Sequence, residues 1–478
     1  MRVSREVNPE NRAPAFRWHA ATVLFLMAAA GLGCERTAPG PTGQVVVYLD
    51  TDAPVGARGS SSPDDGSPQP LFDRVSVEIF AAGATTPCDE CTRELVADAS
   101  LMRENRFSFG VIPVPREVGI RARLRLFRSA ERSTPRPQST IELVGYLPAV
   151  AEEGVSEVTA VFRTDDVGSP RGSLQTPIIF ERGAPSASLV GTWPGAQVIP
   201  CVGQAPQGAV CVPGGAFFMG EPRVNLDQGL SGQREHLVVI SPYFLDAKEV
   251  TVGQFRASGF AHLDTYGHAT DPLDDSNEVL GSVCDYTSKP GANEGLPVMC
   301  VSWQLARLYC ESKGGHLPTE AQYEYVASRR GSSLFPWGDR DPACSEAVVA
   351  RRLSVDAGGC STADPLSTAP IYAEPAGSGT LDRVHLAAGD VFDLGANVSE
   401  WALDFYQGDD GPCWASSLLK DPLCTYNTGP DPDARSVRGG NLATVPVQYV
   451  QVRRVMYGGD IGVVYEDTGF RCAYPAGS

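Results

Sequence analysis

The chain has 478 residues, too many for one ordinary core, and at about 150 residues per domain roughly two or three units are expected. Hydrophobic residues make up 42% and charged residues 20%, as in a folded globular protein, while 50 glycines and 38 prolines call for many turns and loops. The formal net charge of −18, with no Lys/Arg stripe interleaved with aromatics, argues against a nucleic-acid partner.

At the N-terminus, Arg12 and Arg17 precede the apolar run AATVLFLMAAAGLG (20–33). The run is shorter than the ~20 residues that cross a bilayer, so residues 1–34 read as a signal peptide. The run ends in GLGC, which resembles the cleavage box of bacterial lipoproteins, where the cysteine is lipidated and becomes the first mature residue. That residue is Cys34 here, and Gly31 stands where the box usually has leucine. The alternative is a secretory peptide with an incidental cysteine. No other segment is apolar enough to span, so the expectation is a lipoprotein exported to the bacterial cell envelope, at the outer membrane or cell surface, with lipid alone as its membrane contact.

Residues 35–43, ERTAPGPTG, form a tether. A first folded unit is expected over 44–165, where VVVYLD (45–50), RVSVEIF (74–80), RFSFGVI (106–112), GIRARLRLF (119–127), TIELVGY (140–146) and EVTAVFR (157–163) are β-rich runs between turn residues. In the fourth run Ile120, Ala122, Leu124 and Leu126 alternate with Arg121, Arg123 and Arg125, giving one dry and one wet face. Such strands predict an all-β sandwich without visible chemistry, acting as spacer or adhesion module. Residues 166–199, rich in Pro, Gly and Ser and without a sustained period, read as a linker.

The second unit, 200–478, mixes short helices with irregular segments, which makes the whole chain α+β. In SWQLARLYCESKG (302–314) Ser302 is the expected N-cap, with Leu305, Leu308 and Tyr309 on one side. In PTEAQYEYVASRRG (318–331) Thr319 and Gln322 form a capping box, Glu320 suits the positive helix end, Arg329 and Arg330 the negative end, and Gly331 closes the helix. The acidic loops DPLDDSNE (271–278) and GDDGPC (408–413) lack EF-hand spacing and read as solvated surface.

Export implies an oxidising compartment, and the 13 cysteines less Cys34 leave an even number. Sequence does not assign connectivity. Proximity suggests Cys88 with Cys91, Cys201 with Cys211, Cys284 with Cys300, Cys344 with Cys360 and Cys413 with Cys424, which leaves Cys310 and Cys472 as a long-range pair. CDEC (88–91) has no second CxxC and no βαβ context, so a structural bridge is expected there rather than a redox or zinc motif.

Eight pieces of the second unit, in order, resemble the formylglycine-generating enzyme or sulfatase-modifying factor family. They are VPGGAFFMG (212–220), FLDAKEVTVGQF (244–255), LPVMCVSWQLARLYC (296–310), GGHLPTEAQYEY (314–325), FPWGD (335–339), LGANVSEW (394–401), VRGGN (437–441) and DTGFRCA (467–473). The resemblance implies a C-type lectin-like fold with much irregular structure, in which Trp337 and Trp401 would be buried anchors. It also implies a disulfide between the cysteines that are Cys310 and Cys472 here.

Catalytic relatives oxidise a substrate cysteine to formylglycine and hold Cu(I) on two cysteines after the double glycine. Those positions carry Thr444 and Tyr449, neither of them a soft anionic ligand near neutral pH, so copper is not expected. The related sulfoxide synthases need an HxxxHxE pattern, which His262 and His268 do not make. The LGANVSEW segment corresponds to a structural calcium site in relatives and implies Asn397 and Glu400 as oxygen ligands, although Ala396 and Ser399 replace the usual Gly and Trp.

The resulting expectation is a lipid-anchored, non-catalytic binding or scaffold domain with an unidentified protein or glycan partner. Gliding-motility lipoproteins, which resemble the same family, offer a parallel. A formylglycine-generating oxidoreductase with a displaced site, using Cys413 and Cys424, and a calcium-dependent lectin are the alternatives.

Overall fold

The computed structural model describes residues 2–4, 43–56, 67–113, 117–129, 137–220, 235–260, 284–287, 289–340, 342–351, 360, 373–408, 411–429, 431–443, 454–458 and 463–477. Cys34, His262, His268, Thr444 and Tyr449 lie outside the described residues.

The first unit is built from two sheets around one core. One has the order β4 (Ser108–Ile112), β1 (Gln44–Thr51), β7 (Val155–Phe162) and β9 (Glu181–Arg182), with Arg2–Ser4 along the outer edge of β4. The other has the order β3 (Thr92–Val96), β2 (Arg74–Phe80), β5 (Arg121–Phe127), β6 (Ile141–Tyr146) and β8 (Ile178–Ile179). β1 and β7 pair in parallel from Gln44 opposite Val155 to Thr51 opposite Phe162, so the start and end of the unit lie side by side. The alternation in β5 holds for Ala122, Leu124 and Leu126, which are fully buried, but Arg121, expected on the wet face, is buried as well, because it donates to Ala81 O, Ala84 O and Leu174 O at the end of the sheet. On the wet face, Arg123 and Arg125 pair with Glu78, and Arg125 also pairs with Glu142.

Residues 166–199 are not a linker in the structure. They add the edge strands β8 and β9, one to each sheet, and carry Phe180, Val190, Trp193 and Ala196 into the core. Their few apolar residues follow no period because each plugs a separate gap. Phe180 packs so close to Gly145 that a Cβ there would lie 2.4 Å from the ring, and Trp193 Nε1 donates to Asp165 Oδ1 at 2.8 Å.

The second unit joins the first through shared core rather than a hinge. β10 (Ala209–Val212), β13 (Tyr243–Asp246) and β21 (Ala473–Pro475) form one small sheet, and β11 (Gly215–Met219), β12 (His236–Ile240) and β17 (Leu418–Lys420) another. Ala216, Phe218 and Leu237 from β11 and β12 belong to the hydrophobic cluster of the first unit. Phe218 meets Phe72 edge to face at 5.4 Å. Arg128 lies over the Phe218 ring at 5.1 Å and pairs with buried Glu235 at 2.5 Å.

The helices are short and well capped, beginning with α1 (Ala99–Arg103) of the first unit, where Asp98 Oδ1 accepts from Ser100 N at 2.8 Å. α2 (Val252–Ser258), not anticipated, carries a capping box from Thr251 and Gln254 and is closed by Gly259 at φ +76°. α3 (Trp303–Ser312) starts at Ser302, which accepts from Leu305 N. α4 (Glu320–Ala327) has the Thr319–Gln322 box in both directions. Arg329 and Arg330 do not extend its last turn: with Gly331 they take left-handed φ of 49°, 61° and 78° and curl the chain away. Glu320 is fully buried, accepting from Ser436 Oγ at 2.7 Å and facing Arg438, so it anchors the core as well as the helix end.

The twelve cysteines other than Cys34 form six disulfides: Cys88–Cys91, Cys201–Cys211, Cys284–Cys300, Cys310–Cys472, Cys344–Cys360 and Cys413–Cys424. Such a set fits a chain folded outside the reducing cytoplasm. Among the described residues no helix is long and apolar enough to cross a membrane.

Candidate functional site around the double glycine

The double glycine follows β18 (Arg435–Arg438), which pairs with β16 (Ser399–Phe405) and β19 (Arg454–Tyr457); β20 (Thr468–Gly469) lies parallel along the other edge of β16, and β14 (Arg383–Leu386) and β15 (Gly389–Phe392) form a separate hairpin. Arg438 is buried against Glu320 and Glu324 and fixes the strand on α4. Gly439 then turns at φ +77° in a space without room for a side chain, since a Cβ would lie 2.5 Å from Tyr323 Oη and 3.0 Å from Leu394 O.

Beyond the glycines lies a platform of aromatic and amide groups. Asn441 Nδ2 donates to Ser399 Oγ at 3.1 Å and to Asp467 Oδ2 at 2.9 Å. Tyr457 and Tyr465 stack with ring centroids 4.0 Å apart, and buried Trp401 meets both edge to face. Tyr457 Oη donates to Asp467 Oδ2 at 3.1 Å, and Trp401 Nε1 to Val301 O at 2.9 Å. Trp401 is thus a buried anchor. Trp337 is only partly buried, stacked on Phe335 at 5.1 Å, because its loop runs along the surface.

Behind the platform is a buried acid cluster. Arg471, from the GFRC segment, makes a two-pronged bond to Glu400, Nε to Oε2 and Nη2 to Oε1, both 2.7 Å. Burial works against the guanidinium's charge, but Glu400 outweighs it and holds Arg471 above its ordinary pKa. Asp246, Glu249, Asp382 and Asp393 surround the pair. Burial raises Glu249 and Asp382 well above the carboxylate range and pushes Asp246 up to about 6. Sequence reading missed this cluster because its members come from four separated segments.

Asn397, at left-handed φ +65°, accepts from Glu374 N through Oδ1 at 2.9 Å and donates through Nδ2 to Glu249 Oε1 at 3.1 Å. A calcium ion on Asn397 and Glu400 does not fit this donor set, because both Glu400 oxygens already face a guanidinium that the ion would have to displace. Among the described residues no group of three or more His, Cys, Asp or Glu side chains could hold a metal ion. Cys413 and Cys424, the two cysteines considered for a displaced site, are joined to each other.

A disulfide-stapled, mixed α and β domain with few helices, organised around a double glycine, an aromatic platform and a buried Arg–Glu pair, defines the class. Residues 197–476 match the Sulfatase-modifying factor enzyme 1-like domain, more than half of the chain, and the chain belongs to that family. It is 29% identical over 209 residues to the formylglycine-generating enzyme of Bos taurus, covering 36% of this chain and 53% of the bovine one, so it spans about half the length of that relative. To the formylglycine-generating enzyme of Thermomonospora curvata it is 26% identical over 307 residues, covering 56% of this chain and 93% of that one. The inactive C-alpha-formylglycine-generating enzyme 2 of Mus musculus is 29% identical over 160 residues, covering 27% and 51%. Among solved structures, PvdO from Pseudomonas aeruginosa is similar at 20% identity and a TM-score of 0.37, covering 55% of this chain and 93% of that one.

Proposed function

We propose that this chain is a lipid-anchored envelope protein whose formylglycine-generating-enzyme-like domain binds or scaffolds and does not catalyse. One observation carries the reading: every cysteine except Cys34 is in a disulfide. Beside it stands what the resemblance implies, that the positions where catalytic relatives keep their copper-binding thiols carry Thr444 and Tyr449 here. Cu(I) selects thiolates, and exchange with a substrate thiol needs one, so the chemistry lacks both its ligands and its exchange partner. A relative carrying the word inactive in its name is consistent with this reading.

The shared core of the two units supports a scaffold role, because it gives the family domain a fixed base on the β-sandwich. Cys34 supplies the lipid site and a membrane surface the partner. The test is incubation of the purified chain with Cu(I), oxygen and a cysteine-containing sulfatase peptide. The expected result is no formylglycine by mass spectrometry, and copper-dependent turnover overturns the reading. Globomycin sensitivity of processing and palmitate labelling at Cys34 test the anchor.

A further inference from the structure

A cleft of about 720 Å³ opens in the second unit, lined by the loop after β13, by α2 and α3, by the turn before β10 and by β21. Its lining residues come from elements other than the double-glycine segment. Asp246 contributes a carboxyl held from two sides: Cys472 N donates to Oδ2 at 3.0 Å and Tyr474 Oη to Oδ1 at 3.1 Å. Each oxygen keeps a second acceptor direction. Tyr309 and Tyr474, both largely buried, supply ring surface to the walls. Gln254 accepts from Thr251 N through Oε1 at 2.9 Å, leaving its NH2 as donor.

Lys248 and Lys313 also line the cleft, and both are exposed. Each ammonium rests 5.5 Å from a ring centroid, Lys248 over Phe392 and Lys313 over Tyr309, and Lys248 also favours the charged form of the Asp393 carboxyl behind it. The cleft thus combines the fixed acceptor Asp246, a second, buried carboxyl from Glu249 that accepts from Asn397 Nδ2, flat rings and two cations at the rim. A purely apolar ligand would strand the Asp246 and Tyr474 groups away from water. An amine could reach the Asp246 and Glu249 carboxyls only past the two ammonium groups of the rim, and a bare small anion would leave Asp246 and the rings without a counterpart. A polyhydroxylated ligand with an acid group answers these features: hydroxyls donate to Asp246, a sugar ring lies on tyrosine and the carboxylate pairs with lysine.

We propose that this cleft binds a saccharide bearing a carboxylate, a uronic acid unit with a neighbouring sugar. The site deepens the binding reading above and rests on it, yet the two fail separately. Copper-dependent turnover would remove the non-catalytic reading and leave the cleft's affinity standing, while loss of that affinity would remove only the cleft.

Isothermal titration of the purified full chain with digalacturonate tests it, with lactose as the neutral control. The expected result is saturable binding of digalacturonate, weakened by salt, with lactose at least about tenfold weaker. Lys313→Glu sits on an exposed rim and leaves the fold intact, and it weakens digalacturonate about tenfold or more. Asp246→Asn weakens both sugars. Absence of saturable heat at millimolar digalacturonate, or unchanged affinity in Lys313→Glu with a native circular dichroism spectrum, overturns the proposal.

Discussion

Arg471 and Glu400 meet through two parallel bonds of 2.7 Å, and both side chains are out of contact with water. The pair joins the segment that ends the chain to the strand carrying Trp401, and Arg471 also donates to Asp246 O and Phe392 O, at 3.2 and 2.8 Å. One guanidinium thus ties together three stretches of chain that run past one another with little regular structure.

Arg471→Ala leaves the Glu400 carboxylate buried without its cation, in the company of four other acids. Breaking one side of a buried pair typically costs about 3–5 kcal/mol. Urea denaturation should show a loss of that size, with Arg471→Lys intermediate because an ammonium cannot make the two-pronged contact. A loss below about 1 kcal/mol would mean that the acids are neutral and indifferent to the cation.

Asp285 carries a pH dependence of its own. It is buried, neither carboxyl oxygen has a hydrogen-bond partner among the described residues, and burial pushes its pKa up to about 7. Because the folded value lies above the unfolded one, the native state holds more protons between about pH 4 and 7, and stability falls as pH rises through that window. Asp246, raised to about 6, acts in the same direction. Asp285→Asn should flatten the slope and stabilise the chain at pH 8, by up to about 4 kcal/mol for a shift of this size. An unchanged slope in denaturation curves from pH 4 to 8 would show that the carboxylate is hydrated.

The cysteine inventory is measurable directly. Alkylation of the denatured, non-reduced chain should add no mass at the twelve bridged cysteines and at most one adduct, at Cys34. Two adducts at Cys413 and Cys424 would revive an oxidoreductase. Replacing Cys310 and Cys472 together should cost about 2–5 kcal/mol, since their bridge closes a long loop of 162 residues.

The shared core predicts one cooperative unfolding transition for both units. Phe218→Ala removes the ring that meets Phe72 and Arg128, and should cost about 3–5 kcal/mol. Two calorimetric transitions in the unmodified chain would show that the units fold independently.

Much of this protein was legible in local sequence because the responsible forces are local. The alternation in β5 reports a sheet with one dry face, and the Ser302 cap and Thr319–Gln322 box report helix starts through bonds spanning three residues. The Thr251–Gln254 box of α2 carries the same local signal. Motif order sufficed for the family of the second unit. What only the tertiary structure decided is what distant segments do for one another. Residues 166–199 become core because two sheets leave gaps that isolated apolar side chains can fill, which no periodicity announces. Glu400, whose sequence context suggested a metal ligand, belongs to Arg471, 71 residues away, because a buried carboxylate takes the cation that the fold delivers to it. The cleft of Asp246, Tyr309, Lys313 and Tyr474 likewise exists only once α3 and β21 lie beside β13, since burial, field and shape arise from packing and not from the order of residues.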